Sequence, residues 1–285
     1  MNAFSNPKWL DKYTFNYKSI DEIPDTVYNA INSKLDNLLS ETPEVSITIA
    51  AWNEEVNMLP TISSLADSST KIPFEIIVVN NNSTDRTQEV LDKLHIKSFQ
   101  QPIQGCGPAR QVGLEQAKGK YILTADADCI YPPGWIDGMI DALKEPGVVC
   151  VYGRYSFIAN DHAPRWKLYL YEKMKDVIAE VRQQKRPYLN TLGMTMGYIR
   201  EYALKVGYVM QHIRGEDGRL TFDLMQFGKV KQVKDDKYRT WTGTRTIDQD
   251  KSLFRAISTR VIGELKNLTS YLKPHPPHDT KTSKN

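Results

Sequence analysis

The sequence predicts an α/β chain built on a mostly parallel sheet flanked by helices, and three observations carry that prediction. The β-rich runs "VSITIAA" (45–51) and "FEIIVV" (74–79) are each followed by a polar turn and then by apolar residues at helical spacing. A third turn, "QGCG" (104–107), leads to Pro108 at a helix start, where a fixed φ and a missing N–H cost least. A further apolar run, "YILTADAD" (121–128), ends in two aspartates, Asp126 and Asp128.

In chain order, residues 1–44 are polar and aromatic, with a helical piece at Val27 to Leu39 and a break at Pro43, and read as an N-terminal extension. From Val45 the pattern becomes regular: a strand, the loop "NEE" (53–55), and a helix over Val56 to Leu65. The unit repeats with the strand at 74–79 and the turn "NNNSTD", where Ser83, Thr84 and Asp85 are candidate N-caps. The helix "RTQEVLDKL" follows, with Val90, Leu91 and Leu94 on one face. In such a sheet ligands sit at the carboxyl ends of the strands. Here those ends carry Asn53 to Glu55, Asn80 to Asn82, Gln104 to Gly107 and Asp126 to Asp128, so polar groups converge on one edge, where a nucleotide is expected. Residues 45–155 thus form a nucleotide-binding half, followed by a second half, 156–250, and a C-terminal stretch, 251–285.

Composition narrows the partners. At 285 residues the chain fits one large domain or two fused lobes, and 40% hydrophobic with 25% charged residues excludes disordered and fibrous classes. A net charge of +3 against 37 basic and 34 acidic residues gives no reason to expect nucleic acid. Cys106, Cys129 and Cys150 form no C-x-x-C pair and suit a reducing cytoplasm. The start "MNAFSNPKWLDKYTF" lacks the basic and apolar regions of a signal peptide, and no apolar run reaches the roughly 18 residues that span a bilayer. A cytoplasmic protein is therefore expected.

Carboxylate oxygens suit hard ions such as Mg²⁺ or Mn²⁺, usually held by one or two carboxylates with phosphates and waters. Asp128 is the expected metal ligand, with Asp126 directed to the donor; an isolated D-x-D is equally a turn or cap before Pro132 and Gly134. Its company decides. "ITIAAWNEEVNMLPTISSL", "FEIIVVNNNSTDRT", "GCGPARQVGLEQAKGKYILTADAD", "TLGMTMGYIREYALKVGYV" and "GEDGRLTFDLMQFGKV" resemble, in order, the motifs of glycosyltransferase family 2, the inverting enzymes of the Rossmann-like GT-A fold. The resemblance covers roughly residues 45–233.

That resemblance implies a nucleotide-sugar donor, foremost a UDP-sugar, a divalent cofactor (Mn²⁺ or Mg²⁺), and a glycan or lipid-linked acceptor. It implies that Asn53, Glu55, Asn80, Asn81, Arg110 and Asp126 grip the donor, that Asp128 holds the metal, and that Asp217, the aspartate of the E-D element, is the general base. Where family members commonly carry an aspartate for the base, this chain has three asparagines, whose amides both accept and donate. No Q-x-x-R-W follows the E-D element; Arg239, Trp241 and Arg245 lack that spacing, which disfavours a processive polymer synthase. Trp241 belongs either to the acceptor site or to the core, and His212 and Cys129 read as structural. Residues 251–273 predict a basic amphipathic helix that closes over the catalytic domain or lies on an anionic membrane, before a disordered tail. Two alternatives stay open. One is a non-catalytic nucleotide- or glycan-binding relative; the other is a sugar nucleotidyltransferase, whose glycine-rich N-terminal loop is missing here.

Overall fold

The computed structural model describes residues 2–211 and 215–245, together with 262, 263, 267 and 270–273. Its strands are β1 (Val45–Ala51), β2 (Phe74–Asn80), β3 (Lys97–Gln100), β4 (Tyr121–Asp126), β5 (Cys129–Ile130), β6 (Val148–Tyr152), β7 (Tyr155–Phe157), β8 (Met196–Ile199), β9 (Lys229–Gln232) and β10 (Thr240–Thr242). Its α-helices are α1 (Asp25–Leu38), α2 (Met58–Leu65), α3 (Thr87–Asp92), α4 (Cys106–Gln116), α5 (Trp135–Leu143), α6 (Arg165–Gln183), α7 (Arg200–Val206) and α8 (Glu216–Leu224).

Seven strands form one sheet in the order β3-β2-β1-β4-β8-β6-β9, and β5-β10-β7 form a small second sheet. The first four strands of the large sheet are parallel to one another, as β6 is to β9, while β8 runs antiparallel to both β4 and β6. Both faces are covered, which is why β1 and β2 read as continuous apolar runs. Ile76 and Val78 join Val45, Ile47 and Ile49 in a core shared with α1, α2 and α5. Ile77 and Val79 point the other way, into a core with α4, α7 and α8. The helix α4 lies close on β1 because it presents a glycine there: a Cβ at Gly113 would stand 3.1 Å from Thr48 Cβ.

The N-terminal extension is part of the folded body. Two 3-10 turns, Lys8–Tyr13 and Ile20–Glu22, precede α1, and Leu10, Tyr13, Ile20, Ile31 and Leu35 are all buried. Asp67, just after α2, accepts hydrogen bonds from Lys12 at 2.8 Å, Tyr13 Oη at 2.9 Å and Lys34 at 2.7 Å. The helix α1 starts at Asp25, directly after Pro24 and two residues ahead of the pattern. The next helix starts late, at Met58, because Glu54 and Asn57 are tied to each other (Asn57 Nδ2 to Glu54 Oε2, 2.6 Å) in a turn. None of the three candidate caps is the N-cap of α3, which is Arg86; Asp85, one residue earlier, accepts the Thr87 N–H at 3.0 Å.

No helix among the described residues is long and apolar enough to cross a membrane. The amphipathic helix expected over 251–273 lies almost entirely outside the described residues, as do His212 and the tail beyond Lys273. Tyr271 is described: it is buried and accepts a hydrogen bond from Arg182 of α6 at 2.9 Å.

Candidate active site

A cavity of about 530 Å³ opens where β1 and β4 end, and among the described residues its walls carry five carboxylates (Glu54, Asp126, Asp128, Glu216 and Asp217) and two guanidinium groups (Arg110 and Arg245). The excess of negative charge is the first chemical fact about it. Asp126 is the last residue of β4, and its backbone N–H donates to Tyr131 Oη at 2.9 Å, while that hydroxyl donates to Met194 O at 3.0 Å. The turn that follows is pinned by α2: Thr61 Oγ1 lies 2.8 Å from both Ala127 O and Cys129 O. The two aspartates therefore sit on a rigid turn.

From α4, Arg110 reaches into the middle of the site with only 5% of its side chain exposed. Its Nη2 donates to Asp126 Oδ1 at 3.0 Å, and its Nη1 faces Glu216 at 3.3 Å and makes a close ion pair with Asp217. Glu216 and Asp217 form the first turn of α8, where Gly215 takes a left-handed φ of 91° that favours glycine. Gly193 packs flat on the Arg110 guanidinium, where a Cβ would overlap it, and its N–H donates to Asp217 Oδ2 at 2.7 Å. Asp217 is thus held at both oxygens, while a carboxylate has about four acceptor positions and keeps some for a substrate.

Electrostatics follow from this crowding. Burial pushes the Asp126 carboxyl up to about 6, Arg110 pulls it back, and the Asp128 charge adds to the rise. Burial also raises Glu54, against hydrogen bonds from Arg245 and Asn57. Arg245 Nη2 stands 2.8 Å from Glu54 Oε1 and 2.7 Å from Asp128 Oδ2. Carboxylate oxygens of Asp126 and Asp128 and the Cys129 Sγ lie within 4.8 Å of one another. Burial holds the Cys129 thiol well above its ordinary pKa, and the hard donors of the group are the two carboxylates. Two hard oxygen donors side by side fit Mg²⁺ or Mn²⁺.

Of the residues expected to bind ligand, the structure brings together Arg110, Asp126, Asp128 and Asp217 around this one cavity. It does not bring Glu55: that carboxylate accepts the Ile20 N–H at 2.7 Å, and its neighbour Glu54 faces the cavity instead. Both glutamates stand in the loop beyond β1, after Asn53 with its left-handed φ of 54°, and that loop turns only Glu54 to the cavity. The asparagines are occupied within the loops. Asn53 Oδ1 accepts the Thr84 N–H at 2.8 Å, Asn80 bonds Gln88 at 2.9 Å, and Asn81 bonds Ile103 O at 2.8 Å and accepts the Gly105 N–H at 2.7 Å. They tie the loops at the strand ends together rather than line the cavity. Sequence reasoning missed Glu54 and Arg245; Arg245 was noticed only for its wrong spacing. Trp241 is core, packed with Leu10, Tyr13 and Ile130 beneath the Arg165 guanidinium. A smaller cavity of about 260 Å³ shares Tyr155, Tyr171 and Leu192 with the first.

Comparison with known proteins adds the following. Residues 46–207 match the family model described as Glycosyl transferase family 2. Glycosyltransferase AglE of Haloferax volcanii is 27% identical over 154 residues, half of each chain. A dolichol-phosphate mannosyltransferase of Pyrococcus furiosus is 28% identical over 131 residues, 44% of this chain and 37% of that one. The chain thus spans half or less of the length of these relatives. Among solved structures, S. aureus TarS 1–349 in complex with UDP-GlcNAc superposes with a TM-score of 0.55 at 18% identity, covering 80% of this chain and 70% of that one. The mannosyltransferase PcManGT from Pyrobaculum calidifontis, in complex with GDP-Man and Mn²⁺, gives 0.57 at 14%, covering 87% and 85%.

Proposed function

The chain belongs to glycosyltransferase family 2 and has the GT-A fold, and from that premise we propose that it moves a sugar from a nucleotide-sugar donor to an acceptor hydroxyl, with inversion and with the help of Mn²⁺ or Mg²⁺. The observation that carries this reading is the convergence of Asp126, Asp128 and Asp217 on one cavity at the strand ends. A divalent ion held by Asp128 would supply charge neutralisation to a departing diphosphate. Arg110 adds a fixed positive charge beside Asp126. Asp217 accepts the proton of the acceptor hydroxyl as its oxygen bonds to the anomeric carbon, and the nucleoside diphosphate leaves with the electron pair of the broken C–O bond. The Gly193 N–H and Arg110 keep the Asp217 carboxylate aimed while this happens.

A UDP-sugar is the expected donor, with a GDP-sugar as the tested competitor, since the structural neighbours carry UDP-GlcNAc and GDP-Man. The smaller cavity that joins the donor site through Tyr155, Tyr171 and Leu192 suits the acceptor, a glycan or a lipid-linked sugar. Free thiols at Cys106, Cys129 and Cys150 suit a reducing compartment such as the cytoplasm.

The test is a thermal-shift panel of UDP, GDP, dTDP and CDP and their sugars, with and without Mn²⁺, on wild type and Asp128→Ala. Ligand at about 100 times its dissociation constant adds roughly 2.7 kcal/mol. A metal-dependent shift with one nucleotide class, lost in Asp128→Ala, supports the reading. No shift with any of them, the protein being folded, overturns it.

A further inference from the structure

The two arginines of the cavity differ in how they are held. Arg110 is buried, enclosed by three carboxylates and by Gly193, and has no path out that leaves those charges compensated. Arg245 is 55% exposed and touches the site through a single nitrogen, Nη2, set between Asp128 Oδ2 at 2.7 Å and Glu54 Oε1 at 2.8 Å. The two carboxylates come from different strand ends, the loop after β1 and the turn after β4. A cation bridging them stands where a divalent ion on Asp128 would put its own charge. Like charges repel, so a guanidinium 2.7 Å from Asp128 weakens the hold of a metal ion on the same carboxylate. An exposed arginine is also cheap to move. A diphosphate offers a guanidinium a better partner than one carboxylate oxygen, because the planar fork takes two phosphate oxygens at once.

We propose that Arg245 is an exchangeable counter-ion of the donor pocket, which neutralises Glu54 and Asp128, yields Asp128 to a divalent ion, and passes to the diphosphate as the donor arrives. This inference rests on the donor-site reading above. It makes metal binding and nucleotide binding interdependent: a metal ion alone must displace Arg245 without compensation, whereas a metal ion with a diphosphate gives the guanidinium a new partner. By linkage, each ligand then tightens the binding of the other by the same factor.

The experiment titrates Mn²⁺ alone into wild type, Arg245→Ala and Arg245→Gln, following free Mn²⁺ by electron paramagnetic resonance. It then titrates UDP and GDP calorimetrically at saturating Mn²⁺, with the thermal midpoint of each variant as the check on folding. Loss of the competitor should tighten Mn²⁺ alone by about five-fold or more, and loss of the phosphate partner should weaken the nucleotide by about ten-fold, the ordinary range for coupling between sites. Asp128→Ala should abolish the tight Mn²⁺ site in either background. Unchanged or weaker Mn²⁺ binding in Arg245→Ala, with nucleotide still binding wild type, overturns the exchange and leaves the donor site standing. Tighter Mn²⁺ with unchanged nucleotide affinity overturns the transfer to the diphosphate. If wild type binds neither nucleotide with Mn²⁺ present, the donor-site reading falls and the role of Arg245 with it.

Discussion

At the scale of single residues, Asp217 and Gly193 make separable demands. Asp217→Asn keeps the shape and removes the carboxylate proposed as base, so turnover should fall by about 10² to 10⁴ while the nucleotide dissociation constant stays within a factor of a few. Steady-state transfer and nucleotide titration on the same protein check this, and near-normal turnover would remove Asp217 from its role. Gly193→Ala puts a methyl group into the Arg110 guanidinium. Arg110 must then shift, Asp217 loses its aim, and we expect a fall in turnover of about 10²-fold, the scale associated with an ångström of misplacement. Retained turnover would show that the contact yields easily. The legibility of the site varied with the kind of signal. Asp126, Asp128, Asp217 and Arg110 stood in motifs whose order could be read. Glu54 and Glu55 stand in a loop beyond the end of β1, where no strand period says which of them faces inward. Arg245 could not have been found from spacing, because its place beside Asp128 is set by β10 returning across β5.

At the scale of elements, the attachment of the N-terminal turns depends on Asp67. Burial raises its carboxyl, but hydrogen bonds from Lys12, Lys34 and Tyr13 outweigh that and leave it below its ordinary 3.8. A depressed folded value means stability that is fully present above about pH 4 and lost as pH falls through the folded value. The denaturant midpoints of wild type and Asp67→Asn should therefore differ at pH 6 and converge toward pH 3. A gap that stays constant across that range would show that the charge is not what matters. The early βα units were readable because β1 and β2 are long and buried on both faces. The reversal at β8 was not. "MGYI" is four residues long and includes a glycine, and its direction is settled by pairing with β4 and β6, which no local pattern encodes.

At the scale of the whole molecule, residues 2–24 bury Leu10, Tyr13, Ile20 and Ile23 against the rest of the chain. Each such side chain contributes about 1.5–3 kcal/mol, against a typical net stability of about 5–15 kcal/mol. A chain begun at Asp25 should lose several kcal/mol even after the entropy of the freed segment is counted, and its urea midpoint should drop accordingly. An unchanged midpoint would mean that these contacts are dispensable.

The hydrogen bond from the Ile20 N–H to Glu55 has a practical consequence for anyone who divides this chain. A boundary drawn by family similarity begins at Ser46. Cutting there would strip the loop after β1 of a partner and lay bare the α1 face of the sheet, so the segment recognisable by family similarity is shorter than the smallest piece that should be expressed.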